Sequence, residues 1–259
     1  MTKPIIACIH LMPLPGSPNY DGSIQRIYDI ALTETQMYAN AGVDGLIVEN
    51  FRDVPFYPSQ LPPETIAAMA SVTREIVNLY KGPVGVNALR NDAAAAMAIA
   101  TATDASFIRV NVHTGAVITD QGMIEGKAHE TLRLKAALKS NALIFADVAV
   151  KHATPLGNRG IDLETKDLTE RGLADAIIVS GNRTGGAADI KELEIVRKNT
   201  HLPLLLGSGV TISNLEDYYP LADGFIVGST FKKDGKATNT VEKERVLKFM
   251  EKHQSLKHQ

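Results

Sequence analysis

The 259 residues hold a single cysteine, Cys8, so no internal disulfide can staple the chain, and a reducing compartment, the cytoplasm, suits it. Nowhere does an apolar run approach the roughly 20 residues needed to cross a bilayer, which predicts no membrane insertion. The opening stretch, MTKPIIACIHLMPLPG, reaches Pro13 and Pro15 before the apolar core of a signal peptide can develop, and it reads as a first strand. Neither sign of charge is in surplus. Lys plus Arg number 27 against 29 Asp plus Glu, a formal charge of -2, which excludes the broad positive field of a nucleic-acid or membrane-surface protein. Any anion must therefore be held locally. GxxxxGK[ST] and HExxH are both missing, so neither P-loop nucleotide hydrolysis nor a zincin-type metal site has support.

Eight short apolar runs are present, at 5–9, 45–48, 84–88, 107–112, 143–148, 176–179, 204–206 and 225–227. They lack polar alternation and are rich in Val and Ile, as parallel strands buried on both faces should be. Between them lie segments with helical spacing, such as Ile24, Ile27, Ala31 and Tyr38, or Ile66, Met69, Val72, Ile76 and Leu79. Further helices are predicted over 92–102, 127–138, 163–171, 190–199 and 241–252, with a short one near 213–218. A βα unit repeated eight times predicts an α/β fold, a (β/α)8 TIM barrel, and the length matches the roughly 250 residues one such domain needs. A doubly wound open sheet is the rival. No composition break divides residues 1–259, and 250–259 read as a frayed C-terminal tail.

In such a barrel reactive groups collect where strands end, because that rim combines a concave mouth with variable loops. The first five exits are crowded with polar residues: His10; Glu49 and Asn50; Asn87, Arg90, Asn91 and Asp92; Arg109, Asn111 and His113; Asp147, Lys151 and His152. An unpaired buried charge costs several kcal/mol, so packing does not explain this density. Glu49 and Asp147 are the candidate acid and base. Lys151, with His152 beside it, could neutralise a developing enolate or form a Schiff base. His10, Asn50, Asn87, Arg90, Arg109, Asn111, His113 and Asp120 are expected to bind substrate. Structural duties compete: Asp147 could pair with Lys151 or Arg109, Glu49 could orient Arg90, and Asp92 suits the N-cap of the alanine-rich helix. His10, Glu49, His113, Asp147 and His152 could also converge on one cation, although no local spacing encodes it. No cofactor is predicted, and a divalent metal stays open.

The last three exits are small instead: Ser180, Gly181 and Gly185; Gly207, Ser208 and Gly209; Gly228 and Ser229. Glycine lets backbone amides approach an anion closely, and barrels commonly bind phosphate after their last two strands. These residues are expected to hold a phosphate, or else simply to make tight turns. Residues 114–126, with Asp120 and Gln121, suit a mobile cover over the mouth or a static loop.

The stretches KPIIACIHLMPLPGSPNY, GVDGLIVENFRDVPF, PVGVNALRNDAAAAMAIA, FIRVNVHTGAVITDQGMIEGKA, ADVAVKHATPL and GSGVTISN followed by ADGFIVGSTFKKDG resemble the BtpA family, which includes the SgcQ proteins. The resemblance spans 3–249. It implies a barrel similar to the ribulose-phosphate-binding class, a role of the kind the family has in photosystem I biogenesis, or one linked to carbohydrate utilisation. Together with the rim it leads to an expected isomerase, epimerase or lyase acting on a sugar phosphate or related metabolite. Proton transfer would involve Glu49 and Asp147, with Lys151 stabilising negative charge. Two other classes remain open: a non-catalytic assembly factor, and a metal-dependent hydrolase or nucleosidase. The expected partners are a phosphorylated small molecule and further copies of the chain, and neither nucleic acid nor membrane.

Overall fold

The computed structural model describes residues 3–148, 150, 152–157, 159–181 and 186–257. Among them the strands are β1 (Ile5–His10), β2 (Gly45–Glu49), β3 (Val84–Asn87), β4 (Phe107–Val110), β5 (Ala116–Thr119), β6 (Gly122–Glu125), β7 (Leu143–Val148), β8 (Ala153–Pro155), β9 (Ala176–Val179), β10 (Leu204–Leu206) and β11 (Gly224–Val227). All but β5, β6 and β8 close a parallel barrel in the order β1-β2-β3-β4-β7-β9-β10-β11, returning to β1. The eight apolar runs are those eight strands. The helices around them are α1 (Ile24–Asn40), α2 (Pro63–Leu79), α3 (Ala93–Thr103), α4 (Ala128–Ala137), α5 (Ile161–Lys166), α6 (Ile190–Asn199), α7 (Leu215–Tyr218) and α8 (Lys243–Lys257).

Each helix starts where local chemistry allows it. The Ser23 hydroxyl accepts from the Arg26 N–H to cap α1, Pro63 opens α2, and Asp92 accepts from the Ala95 N–H to cap α3, as expected of it. α1 then turns Ile27, Ala31 and Tyr38 inward, the spacing of one helical face.

Alternation along the strands divides the interior in two. Ile5, Ala7, Ile9, Leu46, Val48, Val84 and Val86 point outward and pack beneath the helices. Ile6, Cys8, Ile47, Phe107, Ala176, Ile178, Leu205 and Ile226 point inward and fill the lumen. Phe107 stacks on Phe145 with centroids 4.4 Å apart. Gly85 on neighbouring β3 makes room for them, since a Cβ there would lie 2.1 Å from the Phe107 ring.

Three features depart from expectation. Residues 114–126 form the antiparallel hairpin β5–β6, and β8 pairs on β5 as a third strand. Through Lys257 the C-terminal stretch does not fray: α8 buries Met250 and Leu256, and His253 donates from Nε2 to the Lys3 carbonyl at 2.8 Å. The chain also buries an ion pair that no pattern announced. Lys232 donates to Glu34 at 2.7 Å, and the other Glu34 oxygen accepts from the Val241 N–H at 3.1 Å, tying the segment after β11 to α1.

Candidate active site

The inward positions that are apolar deeper in the lumen become polar or glycine at the strand ends. Parity therefore builds the site: His10 follows Cys8 on β1, Glu49 follows Ile47 on β2, and Asp147 follows Phe145 on β7, each two residues on. Register sets His10 beside Glu49, and Glu49 beside Asn87.

At the centre Arg109 donates from Nε and Nη2 to the two oxygens of Asp147, both at 2.8 Å. Asn111 and Ser180 donate to the same carboxylate, each at 3.1 Å. Burial alone would lower the Arg109 pKa, but the charges of Asp147 and Glu49 more than reverse this and hold it above its ordinary value. Glu49 is less committed. Its Oε1 accepts from Asn87 at 3.1 Å and lies 3.6 Å from Arg109, while Oε2 is 3.6 Å from His10 Nε2, beyond hydrogen-bonding length. His10 stacks on Phe51 at 4.3 Å and meets the Ala237 carbonyl through Nδ1 at 3.0 Å, so Nδ1 carries the proton.

The glycine turns face these groups. Cys8, His10, Glu49 and Arg109 line a small cavity together with the 207–210 and 228–230 turns. Side chains fix both turns. Asn214 accepts from the Thr211 N–H at 2.7 Å and donates to the Gly209 carbonyl at 2.9 Å, Thr230 donates to the Val210 carbonyl, and Arg245 donates to the Thr230 carbonyl at 2.8 Å. Gly209 is obligatory twice over: its φ is +71°, and a Cβ would lie 2.0 Å from the Gly186 carbonyl oxygen. A wider cavity of about 720 Å³ opens above, sharing Glu49, Phe51 and Arg109 with the first and walled by Phe56, Leu89, Arg52 and Arg90. That volume is typical of small-molecule sites.

The profile of the BtpA family matches residues 1–255. This chain belongs to the BtpA family. It is 44% identical over 257 residues to an uncharacterised protein of Methanocaldococcus jannaschii, covering 98% of this chain and 97% of that one. To the photosystem I biogenesis protein BtpA of Synechocystis it is 43% identical over 250 residues, covering 96% and 87%. Its fold is similar to that of N-(5'-phosphoribosyl)anthranilate isomerase from Pyrococcus furiosus, with a TM-score of 0.60, 13% identity and coverage of 98% and 99%.

In this BtpA-family chain the expected site residues separate into those at the mouth and those in its walls. Glu49, Asn87, Arg90, Arg109, Asn111, Asp120 and His152 line the wide cavity, and His10 lines the small one. Asn50 does not bind from the rim: its amide accepts from the Leu89 N–H at 2.7 Å and donates to the Leu89 carbonyl and to Asp53, joining two loops. His113 is buried against the Gly172 carbonyl at 2.9 Å. Ser180 serves Asp147, and Gly181 gives room to the Gly186 backbone, whose oxygen a Cβ would meet at 2.2 Å. Lys151 and Gly185 lie outside the described residues. The five-residue metal set does not assemble, because His113 turns to Gly172 and Asp147 to Arg109. A different one does: ligand atoms of Cys8, His10 and Glu49 lie within 4.8 Å of one another. Cys8 was missed as a site residue, and its two-residue spacing from His10 was the signal. Phe51, Arg52 and Phe56 were missed as well, since a loop carries no periodicity to point them inward.

Proposed function

We propose that this protein is an isomerase, epimerase or lyase acting on a phosphorylated small metabolite. One observation carries the reading: the glycine turns after β10 and β11 share a cavity with Glu49, His10 and Arg109. An anion held by backbone N–H groups at the turns would put the rest of the substrate against the carboxylate. Glu49, whose Oε2 makes no close hydrogen bond among the described residues, takes a proton from a carbon or hydroxyl and returns it to a neighbouring atom. Arg109, locked by Asp147, neutralises the negative charge that develops. Asp147 is thus a positioning residue rather than a second proton carrier.

Titration with inorganic phosphate tests this. The amide signals of Gly209, Ser229 and Thr230 should shift together and saturate. If they stay fixed, the anion reading is withdrawn.

The name of the Synechocystis relative supports a second reading, an assembly factor without catalysis. A buried ring of ionisable groups favours the first, because a scaffold gains nothing from so costly an interior.

A further inference from the structure

We propose that Cys8, His10 and Glu49 bind a zinc ion whose fourth coordination position opens into the cavity beside Gly228. β1 supplies two ligands from one face, and β2 supplies the third from the register position beside His10. Their ligand atoms all lie within 4.8 Å of one another, and His10 Nε2 and Glu49 Oε2 are 3.6 Å apart. Tetrahedral zinc, with bonds of about 2.0–2.3 Å, separates its ligand atoms by roughly 3.3–3.8 Å. Small rotamer adjustments therefore bring the set to bonding distance.

The neighbours of these residues are those of a metal site. The Ala237 carbonyl can only accept, so His10 donates to it from Nδ1, which turns Nε2 toward Glu49. Asn87 holds Glu49 Oε1 and leaves Oε2 facing the ring. A backbone carbonyl behind the histidine and an amide behind the carboxylate are the supports that orient metal ligands. Gly228 keeps the front open: a Cβ there would lie 3.3 Å from His10 Cε1 and 3.4 Å from Cys8 Sγ.

Glu49 and Asp147 bring two negative charges to this wall, and the guanidiniums of Arg109 and Arg90 both feel them. Arg109 does not repel the ion as a free guanidinium would, because Asp147 grips it on two atoms. Thiolate and imidazole select zinc over magnesium or calcium, and three protein ligands with one open position are the pattern of a catalytic ion.

The inference goes beyond the proton-transfer reading and does not rest on it. Bound zinc would turn Glu49 from a proton carrier into a ligand and set a Lewis acid at the end of the anion cavity.

The test uses the whole chain, stripped with a chelator and titrated with Zn²⁺ and, separately, Co²⁺. One zinc should bind per chain, releasing a proton as the thiol ionises. The cobalt form should show a thiolate-to-metal charge-transfer band, which in a chain with one cysteine can come only from Cys8. Cys8→Ser should abolish that band, and Asn87→Ala should weaken zinc binding about 10- to 100-fold. A cobalt form without the band overturns the proposal, as does zinc binding undiminished by His10→Ala. The wild-type cobalt spectrum decides alone if a variant does not fold. Phosphate-induced shifts at Gly209, Ser229 and Thr230 are read separately, so either inference can fail without the other.

Discussion

Arg109 and Asp147 face each other from neighbouring strands of the barrel, joined by two parallel hydrogen bonds of 2.8 Å. This fork leaves only Nη1 of the guanidinium turned toward Glu49. The carboxylate thus fixes the direction in which the positive charge can act.

Removing the Asp147 carboxylate strands that charge. Asp147→Ala should lower stability by about 3–5 kcal/mol, the usual cost of breaking a buried pair from one side. Urea unfolding measures it as a lower midpoint at unchanged slope. A wild-type midpoint would mean that another group balances Arg109.

The pair between Glu34 and Lys232 follows the same rule in the wall. Burial pulls the Lys232 pKa down while Glu34 pulls it back up. Glu34→Gln should cost about 3–5 kcal/mol, whereas Glu34→Leu combined with Lys232→Met should recover most of it, because no unpaired charge remains. A double variant as unstable as the single one would show that the Val241 contact, not the charge, matters.

The barrel was legible because buried parallel strands must be apolar on both faces and evenly spaced by helices. The polar rim was legible because ionisable residues at strand ends had no packing reason to exist. What stayed hidden depended on partners distant in sequence. Nothing near Asn50 says that its amide will be spent on Leu89, and nothing near His113 says that Gly172 will claim it. Cys8 was open to reading, since two-residue parity sets it on the face of His10, but a lone cysteine among apolar residues reads as core. The 114–126 hairpin needed β8, some thirty residues on, to become a sheet.

Glu49→Gln keeps the shape of the side chain and removes its basicity. With any phosphorylated substrate that the wild type turns over, kcat should fall by about 10²- to 10⁴-fold while phosphate still shifts the amides of the turns. A kcat equal to wild type would remove Glu49 from the proton path.

Two wall histidines should make the fold sensitive to acid. His113 donates from Nε2 to the Gly172 carbonyl and His253 to the Lys3 carbonyl. In both rings Nδ1 is buried without a hydrogen-bond partner among the described residues. Protonation would therefore place an N–H where no described group accepts it, and burial holds both pKa values below the ordinary 6.5. An unfolded chain takes up these protons near that value and the folded chain resists, so below it the unfolded state binds more protons. The stabilisation is fully present above pH 6.5 and is lost as the pH falls toward the folded values. Glu164 and Glu192, whose pKa values burial raises, take up protons preferentially in the fold and oppose this slope. The histidine variants are consequently the test rather than the raw profile. His253→Gln and His113→Gln should each flatten the fall in urea midpoint between about pH 7 and pH 5. A slope identical to wild type in both would assign the acid sensitivity to other groups.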